Sequence, residues 1–117
     1  MRYMLLIWEN EAFSAAQTDA EREAVMAEYV AFTDDVRRQG VLVAGDPLLP
    51  SETAITVRHR NGQAVSTDGP FAETREQLGG YYIVDCETLE QACSLAARIP
   101  AARDGAIEVR PVMDMNG

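Results

Sequence analysis

The order of its apolar segments constrains this chain most, because strand patterns alternate with helix patterns on either side of a hairpin. The apolar run over residues 2–8 predicts a strand that is buried on both faces or paired centrally. A stripe at three- and four-residue spacing over residues 25–36 predicts an amphipathic helix. A very apolar strand pattern over residues 41–45 ends before Pro47, since proline interrupts a ladder.

Capping signals indicate where the two helices begin and end. Thr18 and Glu21 have the spacing of a capping box, and Gly40 suits a left-handed stop. The same capping spacing recurs from Thr88, before a helix that we expect to end ahead of Pro100. Both helices have one apolar face, so both can cover the same face of a sheet.

A hairpin is the clearest local signal and lies between the two strand–helix–strand units. Asn61 and Gly62 both tolerate positive φ, as the central residues of a type I′ turn must, and residues 53–60 and 63–67 flank them as strands. The remaining strand patterns lie at residues 81–84 and 107–113.

This order, β-α-β, hairpin and β-α-β, predicts an α+β sandwich of the ferredoxin-like type with both helices on one face of the sheet. No repeat, low-complexity tract or linker divides residues 1–117, so we expect a single domain. The predicted strands are apolar on both sides, and the face without helices therefore needs a cover. A second copy of the same sheet is the least demanding cover, which predicts a homodimer.

The charge balance excludes several classes of partner. Nineteen acidic side chains against ten basic ones give a formal charge of −9. Such a surface repels phosphate backbones and anionic lipid, so we expect no nucleic-acid or membrane partner. The longest apolar run is too short for a membrane span or a secretory signal, which favours the cytoplasm.

No motif indicates a metal or an organic cofactor, and we expect neither. Cys86, Cys93 and the one histidine do not make a metal quartet, and we interpret both cysteines as reduced, mostly buried thiols. The chain has no phosphate-binding glycine loop, nucleophile elbow or dinucleotide fingerprint. All ten basic side chains are arginine, which excludes a lysine nucleophile.

The most unusual tetrapeptide is Asp-Gly-Pro-Phe at residues 68–71, and it has two interpretations. In the structural one, Asp68 starts a turn and Pro70 begins a short helix that the glycines at residues 79–80 end. In the functional one, Asp68 is a catalytic acid or base, because loop carboxylates beside a hairpin commonly bind ligands or exchange protons.

The only histidine, His59, is a candidate general base because the pKa of imidazole is near neutral. A two-residue turn places His59 opposite Ala64 and Asp68 opposite Ile55, on one face of the hairpin. Roughly 13 Å then separates His59 from Asp68 along the strand, which excludes a dyad within one hairpin. An exposed strand histidine is the alternative interpretation.

Arginines can hold an anionic group by paired hydrogen bonds, and an aromatic ring can line a pocket. Tyr81 and Tyr82 point to opposite faces of one strand, so one of them is available for this. The candidate ligand-binding residues are Arg58, His59, Phe71, Glu73, Arg75 and Tyr82.

The stretch from residue 68 to residue 76, followed by Leu-Gly-Gly-Tyr-Tyr at residues 78–82, resembles the YCII-related family in its DGPF-type branch. The resemblance implies a dimeric α/β barrel, in which two ferredoxin-like units pack their sheets face to face. Further matching segments lie at residues 2–6, 40–45, 56–58 and 108–112.

The wider superfamily includes small enzymes that act on aromatic or lactone compounds in a cavity between helix and sheet, and YCII proteins proper resemble enzymes that use a His-Asp pair. That histidine lies early in the family pattern, whereas this chain has none before His59, so the pair is not implied here. Arg75 stands where the branch usually has lysine. DGPF-type genes often occur beside extracytoplasmic-function sigma factors.

Two hypotheses follow. The first is a protein that binds a small acidic or aromatic metabolite in a pocket between sheet and helices, with catalysis through Asp68 left open. The alternative is a non-catalytic accessory or sensor protein that is linked to transcription regulation by a sigma factor.

Overall fold

The computed structural model describes residues 1–116, which form two antiparallel sheets and three α-helices, in agreement with the expected α+β class. The strands are β1 Arg2–Glu9, β2 Leu42–Pro47, β3 Ile55–Arg60, β4 Gln63–Asp68, β5 Gln77–Asp85 and β6 Ala106–Pro111. The helices are α1 Glu11–Ala15, α2 Asp19–Arg38 and α3 Leu89–Ala96, and 3₁₀ turns lie at Ser51–Thr53 and Pro100–Ala102.

The larger sheet has the strand order β2-β5-β1-β6, and every pair in it is antiparallel. The two central strands, β1 and β5, come from the first and second strand–helix–strand units, so the sheet interleaves both units. Within residues 1–116, β3 and β4 pair only with each other and form a separate hairpin.

One face of the larger sheet contains the core. Tyr3, Leu5 and Ile7 alternate along β1 and are buried, as are Tyr82 and Val84 on β5. The rings of Tyr82 and Phe32 pack edge to face, with their centroids 5.2 Å apart. The helical segments cover this face with Phe32, Val36, Ala92, Leu95, Ala96 and Ile99.

The opposite face of the sheet is apolar and less covered. Met4, Leu6 and Trp8 alternate with the core residues of β1 and are only partly buried, like Tyr81 and Ile83 on β5. We call these five residues the open face. The strands are therefore apolar on both sides, as their sequence predicts.

The caps of α2 and α3 differ. Thr18 and Glu21 form the predicted capping box, in which each side chain accepts the other's backbone N–H. These hydrogen bonds lower the pKa of Glu21. At α3, the Thr88 hydroxyl accepts the N–H of Gln91, but the Gln91 side chain accepts the N–H of Glu87, so the second box is not reciprocal.

The prediction of a short helix between Pro70 and residues 79–80 is wrong. The segment from Gly69 to Glu76 is an irregular loop, and β5 begins at Gln77, four residues before the predicted strand. The glycines at residues 79–80 instead leave room for residues of the two neighbouring strands. A Cβ at Gly79 would overlap the Glu9 carboxylate, and one at Gly80 would lie 2.9 Å from the backbone oxygen of Asp46.

Other boundaries shift by a few residues. β2 continues through Pro47, which an edge strand tolerates at its last residue, and the final strand ends at Pro111 rather than at residue 113. Cys86 is buried as expected, whereas Cys93 is exposed. Among the described residues, no helix has both the length and the apolar character needed to cross a membrane.

The hairpin has the predicted turn and register. Asn61 and Gly62 have φ of +52° and +77°, as a type I′ turn requires. His59 pairs with Ala64 and Ile55 pairs with Asp68. Every hairpin residue except Thr56 is exposed.

Candidate functional site

A cavity of about 600 Å³ lies at the base of the hairpin. Its walls are the segment between β2 and β3 and the loop between β4 and β5, and most of the side chains that line it are apolar. This volume suits a small metabolite, since ligand pockets commonly measure about 300–1,000 Å³.

Trp8 and Leu78, at paired ends of β1 and β5, line the part of the cavity that borders the open face. They pair because the register shifts between Ile7 and Trp8: Ile7 lies opposite Gly80, and Gly79 is passed over. The indole nitrogen of Trp8 donates a hydrogen bond to Glu108 across the sheet, at 3.0 Å. The ring is therefore held beside the cavity by its polar edge.

Glu11 and Gln77 connect the two walls of the cavity through hydrogen bonds. The Glu11 carboxylate accepts the backbone N–H and the hydroxyl of Ser51, each at 2.7 Å. Gln77 accepts the N–H of Glu11 at 3.1 Å and donates to the backbone oxygen of Thr74 at 2.6 Å. Because Ser51, Thr74 and Gln77 all line the cavity, these bonds fix its outline.

The Asp-Gly-Pro-Phe segment packs onto the base of the hairpin. Gly69, with φ of +99°, donates its N–H to the backbone oxygen of Ala54 at 2.7 Å and accepts a hydrogen bond from the Thr56 hydroxyl at 2.8 Å. This turn presents Phe71 to the cavity, where its side chain is 77% exposed, as is Leu49 on the opposite wall. The two side chains form an apolar mouth.

Both predicted anion-binding arginines lie next to lining residues. Arg58 donates to the backbone oxygen of Phe71 at 3.4 Å, and Arg75 follows Thr74 in the loop. Within residues 1–116, neither arginine forms an ion pair, whereas Arg103 and most other arginines do. Positive charge is thus available beside an apolar cavity.

Of the seven predicted site residues, Phe71 alone lines the cavity, and the other six include three exposed residues of the hairpin and the following loop. Asp68 is the last residue of β4 and is exposed, and His59 is exposed one pair from the turn. The structure leaves them four residues apart on one face, as the register predicts, and does not bring them together. Glu73 is exposed in the loop.

Tyr82 is a core residue, and Tyr81 is on the open face. The Tyr82 hydroxyl shares a hydrogen bond of 2.8 Å with Thr33 of α2, and its ring is 8% exposed. The Tyr81 hydroxyl donates to Asp46 at 2.8 Å, which raises the pKa of Tyr81. Neither tyrosine lines the large cavity.

The cavity between the sheet and the helices, where the family resemblance implies a pocket, is much smaller than the cavity at the hairpin base. A cavity of about 50 Å³ lies there, bordered by Glu9, Tyr29 and Arg103. Burial and the neighbouring Glu11 raise the pKa of Glu9, and burial raises the pKa of Tyr29 to about 12. This volume holds one or two water molecules rather than a metabolite.

The lining residues that sequence reasoning missed are mainly apolar side chains on connections. Leu48, Leu49 and Pro50 follow β2 and form one wall. A pair of leucines in a loop, where polar residues are more common, is the sequence signal that could have indicated this wall. Trp8 is predicted only as a strand residue, and Leu78 lies in the segment predicted as a short helix.

Comparison with known proteins identifies the family. The YCII-related domain matches residues 1–116. An uncharacterised protein of Rhizobium meliloti (strain 1021) is 37% identical over 114 residues, which span 96% of this chain and 92% of that protein. The chain therefore belongs to the YCII-related family.

Proposed function

We propose that the protein binds a small aromatic metabolite that carries an acidic group, in the cavity at the base of the hairpin. The observation that supports this most is the apolar lining of a cavity of about 600 Å³. Trp8 and Phe71 offer ring faces or edges to an aromatic ligand. A wholly polar ligand would lose its hydration there without gaining partners.

The acidic group is proposed to meet Arg58 and Arg75. Arg58 contacts the backbone of a lining residue, and Arg75 is the neighbour of another. Guanidinium groups bind carboxylates through two parallel hydrogen bonds, which orients the ligand as well as attracting it. A net charge of −9 makes these local cations important for capturing an anion.

We also propose the quaternary and family assignments that the sequence predicts. The strand order β2-β5-β1-β6 supports the ferredoxin-like topology, and Asp-Gly-Pro-Phe at residues 68–71 supports the DGPF-type branch. The open face supports a homodimer in which two sheets pack face to face, because partly exposed Met4, Leu6 and Ile83 would be buried. Light scattering coupled to gel filtration tests the dimer.

The single tryptophan makes ligand binding directly measurable. Trp8 is the only tryptophan in the chain and lines the cavity, so a bound ring changes its fluorescence. Benzoate is the probe, and benzyl alcohol is its uncharged control. We expect benzoate to change the emission saturably and to bind more tightly than benzyl alcohol, and a linear response to both would contradict the proposal.

Catalysis by Asp68 is a separate proposal with its own test. Asp68 is exposed at the end of β4, so Asp68→Asn is expected to leave the melting temperature unchanged. Native mass spectrometry of the purified protein with a metabolite extract would show both bound and converted compounds. Conversion that is lost in Asp68→Asn supports an acid or base role. Binding without conversion favours the accessory or sensor role, which includes the sigma-factor link.

A further inference from the structure

The hydroxyl groups of the residues that line the large cavity all donate hydrogen bonds to other parts of the protein. Ser51 donates to the Glu11 carboxylate at 2.7 Å. Thr53 and Thr56 donate to backbone carbonyl oxygens at 2.7 and 2.8 Å, and Thr74 donates to another. Because carboxylate and carbonyl oxygens only accept, the hydrogen of each hydroxyl is already used within the protein.

The nitrogen donors of the lining side chains are used in a similar way. The indole N–H of Trp8 donates to Glu108 at 3.0 Å. The amide nitrogen of Gln77 donates to the backbone oxygen of Thr74 at 2.6 Å, and its amide oxygen accepts the N–H of Glu11, which fixes the orientation of the amide. Within residues 1–116, one N–H of Gln77 is therefore the side-chain donor of the lining that is left without a partner.

The backbone of the wall between β2 and β3 follows the same pattern. The N–H groups of Leu48, Thr53 and Ala54 donate to backbone oxygens at 2.8, 2.9 and 3.0 Å. The N–H of Ser51 donates to the Glu11 carboxylate at 2.7 Å. This wall therefore has few hydrogens to offer to a ligand.

The loop between β4 and β5 differs from that wall. The backbone N–H groups at residues 71, 72 and 74 have no hydrogen-bond partner within residues 1–116. They lie in the same loop as Arg75, and Arg58 donates to the backbone oxygen of Phe71. Donors for the proposed acidic group are thus collected on the loop side of the cavity.

The hydroxyl oxygens keep lone pairs that can still accept a hydrogen bond. Ser51 and Thr56 are half-buried, whereas Thr53 and Thr74 are exposed. The half-buried pair therefore offers acceptors to a ligand without offering donors. A polar ligand group finds a partner there only if it supplies the hydrogen itself.

We propose that the ligand carries, at the end away from its acid, a group that donates a hydrogen bond, a hydroxyl or an N–H, which the hydroxyl oxygens of Ser51 and Thr56 accept. This inference rests on the proposed function and narrows its ligand class to aromatic acids with a second, donating polar group. An ether oxygen at that end would lose its hydration and face acceptors only. Sites built to bond a ligand hydroxyl or N–H discriminate strongly against analogues that lack it.

Three substituted benzoates test the proposal on the wild-type protein. The probes carry a hydroxyl, a methyl or a methoxy group at ring position 3 or 4, and titration calorimetry measures their affinities. A methyl group is more apolar than a hydroxyl, so a cavity without acceptors prefers the methyl compounds. We expect the better hydroxybenzoate to bind about tenfold more tightly than its methyl and methoxy counterparts. An order with the methyl compounds first overturns the proposal.

Three variants test the assigned acceptors. Thr56→Val and Ser51→Ala each remove one hydroxyl oxygen. Thr67→Val is the matched control, because Thr67 pairs with Thr56 across the hairpin and lies outside the cavity lining. The readout is the ratio of the hydroxybenzoate and methylbenzoate affinities, which a general loss of binding leaves unchanged. We expect this ratio to fall at least about threefold in the first two variants and to stay constant in the control. A constant ratio in all three overturns the assignment.

The outcomes separate this inference from the proposed function. Benzoates that all bind, with the methyl compounds tightest, overturn the donating group and leave the proposed function intact. If no benzoate binds, the acidic ligand is contradicted, and 4-methylphenol against 4-methylanisole repeats the comparison without an acid. Tighter binding of the phenol then supports the donating group. Equal affinities, or no binding of either compound, overturn it as well.

Discussion

Glu11 accepts both the backbone N–H and the hydroxyl of Ser51, so one carboxylate joins α1 to the wall of the large cavity. The bond pair spans 40 residues of sequence. The backbone N–H of Glu11 also donates to Gln77, and the Gln77 side chain in turn donates to the backbone oxygen of Thr74 on the other wall. The cavity therefore keeps its shape through polar groups outside its apolar lining.

Glu11→Gln is expected to lower the free energy of unfolding by about 1–2 kcal/mol, because an amide replaces a carboxylate that accepts two hydrogen bonds. Chemical denaturation measures the change. Glu23→Gln is the matched control, since Glu23 is an exposed acid on α2. Equal losses in the two variants would show that the Glu11–Ser51 bonds contribute nothing specific.

Phe71→Ala is expected to weaken benzoate binding roughly tenfold, because it removes an aromatic wall of the proposed site. Phe13→Ala is the control: Phe13 is also exposed, at 48%, but borders the small cavity between sheet and helices. Trp8 fluorescence reports the affinity of both. A Phe13→Ala variant that weakens binding as much as Phe71→Ala would argue against the large cavity.

Gly105→Ala is expected to destabilise the fold by at least about 2 kcal/mol. A Cβ at Gly105 would overlap the backbone oxygen of Trp8, and β1 cannot shift without disturbing its ladder with β6. A Cβ at Gly79 meets the side chain of Glu9 rather than backbone, and that side chain can move, so we expect a smaller loss for Gly79→Ala. Thermal unfolding compares the two variants, and the reverse order would contradict this reasoning.

Tyr29 predicts a dependence of stability on alkaline pH. Burial, with the nearby Glu9, raises the pKa of Tyr29 to about 12 from an ordinary value of 10.0. The stabilisation of the neutral phenol is complete below pH 10 and is lost as the pH rises toward 12. Between these limits, the unfolding free energy of the wild type should fall more steeply than that of Tyr29→Phe, and parallel curves would contradict the assignment.

Local signals predicted the hairpin and the first helix cap well. A type I′ turn at Asn61 and Gly62 fixes every pair in the hairpin, and Thr18 with Glu21 specifies a cap without help from the rest of the chain. The box at Thr88 failed to close because Gln91 has a second acceptable partner, the N–H of Glu87.

The large cavity could not be predicted in the same way, because it depends on tertiary placement. Leu49 and Phe71 are 22 residues apart in the sequence and line one cavity only because two connections pack around the hairpin base. The choice between Tyr81 and Tyr82 likewise depends on register. A bulge at Gly79 separates Leu78 and Trp8 from the regular pairing, and a sequence pattern of period two does not contain it.

The bulge at Gly79 lies beside the end of β1 that separates the large cavity from the small one. Trp8 and Glu9 are consecutive residues on opposite faces of β1, and they border the large and the small cavity respectively. A slip of one residue at this end of the strand would exchange them, putting a carboxylate into the apolar chamber and an indole beneath the helices. A deletion or insertion between residues 7 and 9 should therefore be far more damaging than a substitution at either position.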